Sequence, residues 1–378
     1  MRTDLLVVGA GPYAYSAAAY ARERGIDTHV VGVPMAFWRD QMPADMYLRS
    51  GPDWSLDAAG ADSSGDSFAA YFEDAGLDPA DVDPIPIGVF LDHTEWFARR
   101  KGLRPDQRLV ANLGKNGAFV ATMDDGSTIA ADKVLACPGI AHFTQLPAWH
   151  ADVPADRRSH TSELVAFDDL ADRRVAIIGG RQSAYEWAAL LCDHGAAKVD
   201  VVHRHATPAF EKVSWTFVDP LVEQTLAERG WWRNLPAARQ HEIALQFWQV
   251  GRLTLEWWLA PRLRPEVVTS HPETVVLSVA ADDADVTLSI SDGGELAVDH
   301  VVFASGYQAD LAAVPYLAGV LDQIAVSDGF PDLSPGFETS LPGLFVTGFA
   351  STRDFGPFYG FTKGCPSSAR LVVREMLA

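Results

Sequence analysis

A glycine-rich turn of the kind that binds dinucleotides most constrains this 378-residue chain, because the turn occurs twice. Residues 4–14 read DLLVVGAGPYA, an apolar strand followed by the pattern G-x-G-x-x-[GA]. Residues 174–184 read RVAIIGGRQSA, the same strand and turn with Arg181 in place of the second glycine. Two such turns, each between a strand and a helix, predict two bound nucleotides, a resident flavin and a nicotinamide reductant.

The first turn has the residue types that a diphosphate site needs. Gly9 permits the tight turn, Gly11 lets the backbone approach the phosphates, and the small Ala14 lets helix and strand pack closely. The following helix N-terminus offers free N–H groups and a positive dipole end. The next strand ends in Gly32 and Val33 rather than in an acid, so the ribose must be held in another way. The expected contacts are Gly9, Gly11, Pro12, Tyr13 and Ala14.

The second turn leaves alternatives open. Gly179, Arg181, Gln182 and Ser183 are the expected contacts to a second diphosphate. Three alternatives remain. The Arg181 guanidinium folds outward and pairs with phosphate, or the stem of its side chain blocks the approach of the diphosphate, or the whole domain is packed but no longer binds a nucleotide. Arg204 follows the next strand, where an arginine can bind the 2′-phosphate of NADP, and no acid stands there to select NAD.

Composition narrows the function classes. The formal net charge is −20, which disfavours nucleic-acid and membrane partners, although such acidity also simply keeps a protein in solution. The three cysteines form no C-x-x-C pair, and neither G-x-S-x-G nor H-E-x-x-H occurs, so dithiol, hydrolase and zinc-protease chemistry lack support. No metal site is expected.

The first strand begins too early for a signal peptide and no apolar run spans a bilayer, so we expect a cytoplasmic protein.

Residues 219–259 look helical and are rich in aromatic side chains. This pattern is compatible with an apolar substrate pocket, an interdomain core or the face of a homodimer. The aromatic residues concerned are Trp231, Trp232, Phe247, Trp248, Trp257 and Trp258.

Several segments together resemble the flavin-containing monooxygenases, the group B flavoprotein monooxygenases. The resemblance spans nearly the whole chain and includes the sequence A-S-G-Y, which is similar to the family's A-T-G-Y. The segments are residues 9–14, 37–39, 42–50, 179–184, 304–307, 342–348 and 355–357.

The resemblance implies an α/β fold with two Rossmann-like domains, FAD on the first and NADPH on the second. It implies an FAD domain in two pieces, 1–155 and 300–378, and an inserted NAD(P)-binding-like domain, 156–299, with the helical insert 219–259. In such enzymes the reduced flavin reacts with molecular oxygen and oxygenates a small organic molecule. The implied flavin contacts are Trp38, Arg39, Met46, Arg49, Ser50, Gly306, Gly348, Phe355 and Gly356.

The chain departs from the family in the fingerprint F-x-G-x-x-x-H-x-x-x-[WFY], of which only His160 remains. The expected activity is N- or S-hydroxylation or Baeyer–Villiger insertion. The alternatives are a flavoprotein oxidase or oxygenase that does not use NADPH directly, and a non-redox binding protein or catalyst on the same scaffold. The candidates for substrate contact and catalysis lie in two loops and are Asp53, Trp54, Asp57, Arg353 and Tyr359.

Overall fold

A computed structural model describes residues 1–51, 54–59 and 65–378, and its N-terminal part forms a mixed sheet. The elements are β1 (Arg2–Val8), α1 (Pro12–Glu23), β2 (Thr28–Val31), α2 (Ala36–Asp40), α3 (Phe68–Ala75), α4 (Ile87–Arg100), β3 (Val110–Asn116), β4 (Ala118–Met123) and β5 (Thr128–Ala136). Strand β1 pairs in parallel with β2 and β5, and the hairpin of β3 and β4 continues the sheet beside the start of β5. The apolar run at the end of β1 is buried because helices or loops cover both faces of such a sheet.

The middle of the chain forms a second sheet of five parallel strands in the order β11-β8-β7-β15-β6. The elements are β6 (Arg158–His160), β7 (Arg174–Ile178), α5 (Gln182–Asp193), β8 (Lys198–Val202), β9 (Ala209–Glu211), α6 (Asp219–Ala227), α7 (Trp231–Asn234), α8 (Ala237–Gly251), β10 (Thr254–Glu256), β11 (Val268–His271), β12 (Val276–Ala281), β13 (Val286–Ile290), β14 (Glu295–Val298) and β15 (His300–Phe303). Strands β12, β13 and β14 make a separate antiparallel sheet, and β9 pairs with β10.

The C-terminal part returns to the first sheet. Its elements are β16 (Val326–Ser327), β17 (Phe330–Pro331), β18 (Leu344–Val346), α9 (Thr352–Phe355) and α10 (Cys365–Met376). Strand β18 pairs in parallel with β5, and α10 packs on α1. The Tyr13 hydroxyl in α1 donates to the Phe361 carbonyl at 2.8 Å and also contacts the Tyr359 carbonyl. The first and last helices of the chain therefore lie side by side at the first glycine turn.

The structure confirms the predicted α/β class with two dinucleotide-type units and moves two boundaries. Strand β15 pairs with β7 and β6, so residues 300–303 belong to the second sheet and not to the C-terminal piece that begins at 300 in the sequence analysis. The helical region predicted at 219–259 ends at Gly251, because residues 254–256 are extended and pair with β9. In the described ranges, no helix is long and apolar enough to cross a membrane.

A cleft between two dinucleotide turns

One large cleft joins the two glycine turns and the segment before α10. Its volume is about 2070 Å³. A typical site for one small ligand has about 300–1,000 Å³, so this cleft can hold more than one ligand. The carboxyl ends of β1 and β7 both open into it, as ligand sites on parallel sheets do.

The first turn fits a diphosphate. Gly9 has φ +112°, and a Cβ there would lie 2.5 Å from the Cys137 carbonyl oxygen, so only glycine is tolerated. Gly11 precedes α1 with an ordinary extended backbone, φ −93° and ψ −171°, and no protein atom lies within 4 Å of the position of an added Cβ. The space beside Gly11 is cleft, which is what close approach of a ligand requires, and Pro12, Tyr13 and Ala14 line it as well.

The second turn repeats this backbone. Gly179 has φ +142°, and a Cβ there would overlap the Ala304 carbonyl. Arg181 precedes α5 with φ −115° and ψ −170°, nearly the same conformation as Gly11. Because any residue adopts this conformation, Arg181 causes no backbone strain. Gln182 and Ser183 also line the cleft, as predicted.

Three arginines without an acidic partner face this part of the cleft. The Arg181 guanidinium lies 3.8 Å from the centre of the Trp248 ring, and that of Arg252 lies 5.2 Å from the same ring. Arg204 lines the cleft at the end of β8. Burial and the neighbouring Arg204 lower the pKa of Arg181, and burial together with Arg181 and Arg49 lowers the pKa of Arg252 to about 10. Within the described ranges none of the three forms an ion pair, so this region attracts anions.

Helix α2 and the segment after it border the cleft as well. Trp38, Met46, Arg49 and Ser50, for which the resemblance implies flavin contact, all line it. Arg39 does not, because its guanidinium pairs with Glu95 of α4, so this geometry does not bring it to the cleft where the resemblance puts the flavin.

Arg49 connects the two halves of the molecule. Its Nε donates to Glu256 of β10 at 2.9 Å, and its Nη1 donates to the Gly251 carbonyl at 2.6 Å. Its guanidinium also lies 5.6 Å from the Trp215 ring. Because Glu256 neutralises it, Arg49 positions the cleft wall rather than offering a free charge to a ligand.

Of the cofactor contacts predicted in the C-terminal part of the chain, some residues line the cleft and others do not. Gly306 and Gly348 line the cleft. Phe355 and Gly356 do not, because the Phe355 ring stacks on Phe337 at 3.6 Å and a Cβ at Gly356 would lie 2.7 Å from the Phe358 ring. These two residues pack within the loop, and neither borders the cleft where the predicted cofactor contact would be made.

Most of the predicted catalytic residues lie elsewhere. Asp53 is outside the described residues. Trp54 and Tyr359 are buried in the core, and the buried Asp57 lies 3.7 Å from the ammonium group of Lys101, so none of these three borders the cleft. Arg353 does border it, but Asp332, at 2.6 Å, and Asp354 neutralise its charge.

A polar network that the sequence analysis missed lies behind the second turn. The Gln182 amide donates to Glu186 at 2.9 Å and accepts from the Glu256 backbone N–H at 3.0 Å. Burial raises the pKa of Glu186 to about 7, although Arg262 lies 3.7 Å away and favours the charged form. Since Glu256 binds Arg49, the network runs from the second turn to the segment that faces the first turn.

Other residues of the cleft could not be found from motifs. Trp232, Phe247, Trp248 and Arg252 of the helical insert border it, which fits the substrate-pocket interpretation of that region for these residues. Trp231 is buried in the core. The only sequence feature of this wall was its aromatic density, which does not say which rings face inward.

His160 is a buried histidine beside the cleft. Its Nδ1 bonds with the Ser162 hydroxyl at 2.8 Å, and its ring packs edge-on against Tyr307 at 5.3 Å. Burial lowers its pKa, so it is neutral and supports the cleft-lining Tyr307.

The cysteines do not form a dithiol. All three lie in the described ranges and are unpaired. Cys137 borders the cleft, but burial raises the pKa of its thiol to about 12, and burial also raises that of Cys365. Both thiols are therefore poor nucleophiles. Across the described ranges, no cluster of His, Cys, Asp or Glu is arranged to bind a metal ion.

Comparison with known proteins agrees with this geometry. The chain is 25% identical over 352 residues to the FAD-dependent urate hydroxylase of Xanthomonas campestris pv. campestris, covering 82% of this chain and 72% of that protein. It is 32% identical over 204 residues to a ferredoxin–NADP reductase of Nocardioides sp., covering 53% of this chain and 54% of that protein.

A solved structure has the same fold at low identity. It is the ornithine N-hydroxylase of Kutzneria sp. 744 with reduced FAD, NADP⁺ and L-ornithine, with a TM-score of 0.79 and 15% identity over 100% of this chain and 99% of that one. The family model for pyridine nucleotide-disulphide oxidoreductases matches residues 3–231, which include both glycine turns. The prediction of a flavin-dependent oxidoreductase with the fold of flavin monooxygenases is confirmed, and the chain belongs to the pyridine nucleotide-disulphide oxidoreductase family.

Proposed function

We propose that this protein is an FAD-dependent monooxygenase that takes its electrons from NADPH and oxygenates a small organic molecule. FAD binds at the first turn, where the open space beside Gly11 and the N-terminus of α1 suit a diphosphate. NADPH binds at the second turn. The reactions considered are N- or S-hydroxylation and Baeyer–Villiger insertion.

The observation that carries the proposal is the pair of guanidiniums at the second turn, neither of which forms an ion pair with a residue that the structure describes. Arg181 has the backbone of an ordinary dinucleotide turn, and its side chain extends toward Trp248 of α8. Arg204 stands at the end of β8, where an arginine recognises a 2′-phosphate. Together they favour NADPH over NADH, and they support the phosphate-pairing alternative for Arg181 over the blocking one.

FAD held at the Gly9 turn would supply the redox chemistry, using the hydride of NADPH to place one oxygen atom of O2 in the substrate and to reduce the other to water. The protein's residues bind and orient the reactants. The Gly9 turn and α1 fix the diphosphate, and Trp38 and Ser50 border the same cleft. Arg49, tied to Glu256, keeps that wall against the second unit. Apolar walls, including Phe247, exclude water from the reacting groups.

Anaerobic titration of the flavin-loaded protein tests the proposal. We expect NADPH to bleach the visible flavin absorbance, and NADH to do so more slowly or at higher concentration. Arg181→Ala raises the NADPH Kd about tenfold if the guanidinium pairs with phosphate, because charge-assisted hydrogen bonds contribute about 1.5–3 kcal/mol.

The other outcomes identify the alternatives. A yellow protein that NADPH leaves oxidised is an oxidase, or an oxygenase that a partner reduces. Arg181→Gly binding NADPH more tightly than the wild-type protein assigns the side chain a blocking role. A colourless protein that takes up no added FAD supports a binding protein or a non-redox catalyst on this scaffold.

A further inference from the structure

Arg252 follows α8 and lies beside the second turn, because its guanidinium is 5.2 Å from the Trp248 ring that Arg181 also contacts. The same guanidinium is 5.5 Å from the Phe361 ring. The Phe361 carbonyl accepts from the hydroxyl of Tyr13 in α1 at 2.8 Å, which ties Phe361 to the first turn. Arg252 therefore lies between the two dinucleotide positions, where a third molecule would meet both.

The charges in the described lining leave Arg252 without a counterion. Glu256 neutralises Arg49, and Asp332 neutralises Arg353. The buried Glu186 is engaged by Gln182 and Arg262. The charged side chains of the described lining are Arg49, Arg181, Arg204, Arg252, Arg353, Asp40, Asp124 and Glu186.

Among the described residues, Arg181, Arg204 and Arg252 then remain without an ion-pair partner, in a chain of net charge −20. The lining carboxylates Asp40 and Asp124 also have no ion-pair partner there, and neither pairs with any of these arginines. Arg181 and Arg204 stand at the second turn, where the phosphates of NADPH would take them up. Burial and the like charges of Arg181 and Arg49 lower the pKa of Arg252. A half-buried cation among other cations is costly, and an anion beside it would lower that cost.

Aromatic rings form the walls around this guanidinium. The Phe361 ring lies 5.3 Å from that of Phe247 and 5.6 Å from that of Trp215. Phe247, Trp248 and Phe361 border the cleft. Flat apolar walls with one cation at their edge match a planar apolar body that carries a negative group.

We propose that Arg252 binds the negative group of the substrate, and that the substrate is a planar, aromatic organic anion such as a ring carboxylate. The inference rests on the proposed function, because it takes the two turns to be filled by FAD and NADPH. A substrate that carries an extended cationic amine fits less well, since the charged groups that act on Arg252 are the guanidiniums of Arg181 and Arg49.

The test uses the oxidised, flavin-loaded protein without NADPH. Benzoate, salicylate and urate are titrated while the flavin absorbance is recorded, with benzamide as the neutral counterpart of benzoate and L-ornithine as the amine. Calorimetry with the same compounds needs no flavin signal. We expect at least one of the anions to bind, and benzoate to bind about tenfold or more tightly than benzamide, because the hydrogen bond to Arg252 is charge-assisted.

Variants assign the effect to this side chain. Arg252→Gln should remove the preference for benzoate over benzamide, and Arg252→Lys should keep part of it. Arg239→Gln is the matched control, because Arg239 lies on α8, the helix that Arg252 follows, is exposed and pairs with Glu242. Flavin content and melting temperature establish that each variant is folded.

Four results overturn the inference. Benzamide binds as tightly as benzoate, or none of the three anions binds, or L-ornithine binds more tightly than all of them. A raised NADPH Kd in Arg252→Gln with an unchanged benzoate Kd also overturns it, because Arg252 then belongs to the nucleotide site. Failure of the proposed function is separate, since it is read from flavin content and from anaerobic reduction by NADPH.

Discussion

The two glycine turns have almost the same backbone and different side chains, and the difference separates what the chain needs from what a ligand needs. In both turns the first glycine has a positive φ and lies against a carbonyl that follows the neighbouring strand. Gly9 lies against the Cys137 carbonyl and Gly179 against the Ala304 carbonyl. The third residue of the G-x-G pattern has extended backbone in both turns, so its side chain can differ: it is Gly11 in the first turn and Arg181 in the second. The fold thus requires the first glycine of each turn, whereas the ligand determines which residue suits the third position of the pattern.

The largest effect is expected at the first glycine. Gly9→Ala puts a Cβ 2.5 Å from the Cys137 carbonyl at φ +112°, which should cost roughly 3–5 kcal/mol of unfolding free energy as strain and overpacking. FAD binding should be lost with it. Denaturant unfolding and the flavin content of the purified variant measure the two effects.

Gly11→Ala is the matched control for Gly9→Ala. With no protein atom within 4 Å of its Cβ, it should unfold like the wild-type apoprotein while binding FAD more weakly. If Gly11→Ala is as unstable as Gly9→Ala, the division between folding and ligand positions is wrong.

The next effect concerns the helix after each turn, where Ser16 of α1 and Glu186 of α5 occupy the same position, seven residues beyond the first glycine. Burial raises the pKa of Glu186 from an ordinary 4.5 to about 7. Between these pH values the folded protein keeps a proton that the unfolded chain has lost, so this group's contribution to stability falls as the pH rises. The loss should be on the order of 3 kcal/mol.

Glu186→Gln should remove that pH dependence. Unfolding free energies of the two proteins measured at about pH 5 and about pH 7.5 should converge at the lower pH and diverge at the higher one, with the variant more stable. A constant difference across this range would mean that Glu186 does not change its protonation on unfolding.

A smaller effect is expected at the middle position of the second turn. A Cβ at Gly180 would overlap the His203 ring, whereas the first turn has Ala10 at this position. Gly180→Ala should therefore cost about 1–3 kcal/mol of unfolding free energy and leave FAD content unchanged. Gly114→Ala is the control, because its Cβ would meet nothing closer than 4.0 Å; equal losses in both variants would contradict the packing argument.

The smallest effect concerns the choice of reductant. Arg204→Gln should raise the Kd for NADPH about tenfold and leave that for NADH nearly unchanged, because only NADPH carries the 2′-phosphate. Stopped-flow reduction with both nucleotides measures this. An equal rise in the Kd for NADPH and for NADH would show that Arg204 contacts a part of the nucleotide that both molecules have.

The sequence was sufficient to predict those elements of the fold whose residues have fixed physical roles. Gly9, Gly11 and Ala14 could be placed because a strand, a turn and a helix N-terminus permit few other arrangements. The second unit followed from the same logic, even with Arg181 in the turn. The resemblance implies flavin contacts for Trp38, Met46, Arg49 and Ser50, and all four border the cleft.

The rest depends on tertiary packing that no local pattern encodes. Arg39 and Arg49 are ten residues apart and chemically alike, but Glu95 draws one away from the cleft and Glu256 holds the other in it. Trp54 and Tyr359 were reasonable candidates by residue type and lie in the core instead. Arg252 gave no sequence signal, because its importance comes from the acid that is missing beside it.

The contact of Tyr13 with the Phe361 carbonyl has a consequence for biosynthesis. The wall of the cleft at the first turn is assembled from segments 348 residues apart in the chain, which the ribosome produces at widely separated times, since α1 packs on α10 and β18 pairs with β5 of the first sheet. A nascent chain that has released only its first domain-sized portion still lacks that wall. Acquisition of the yellow colour during synthesis would therefore report that residues 344–376 have emerged and docked.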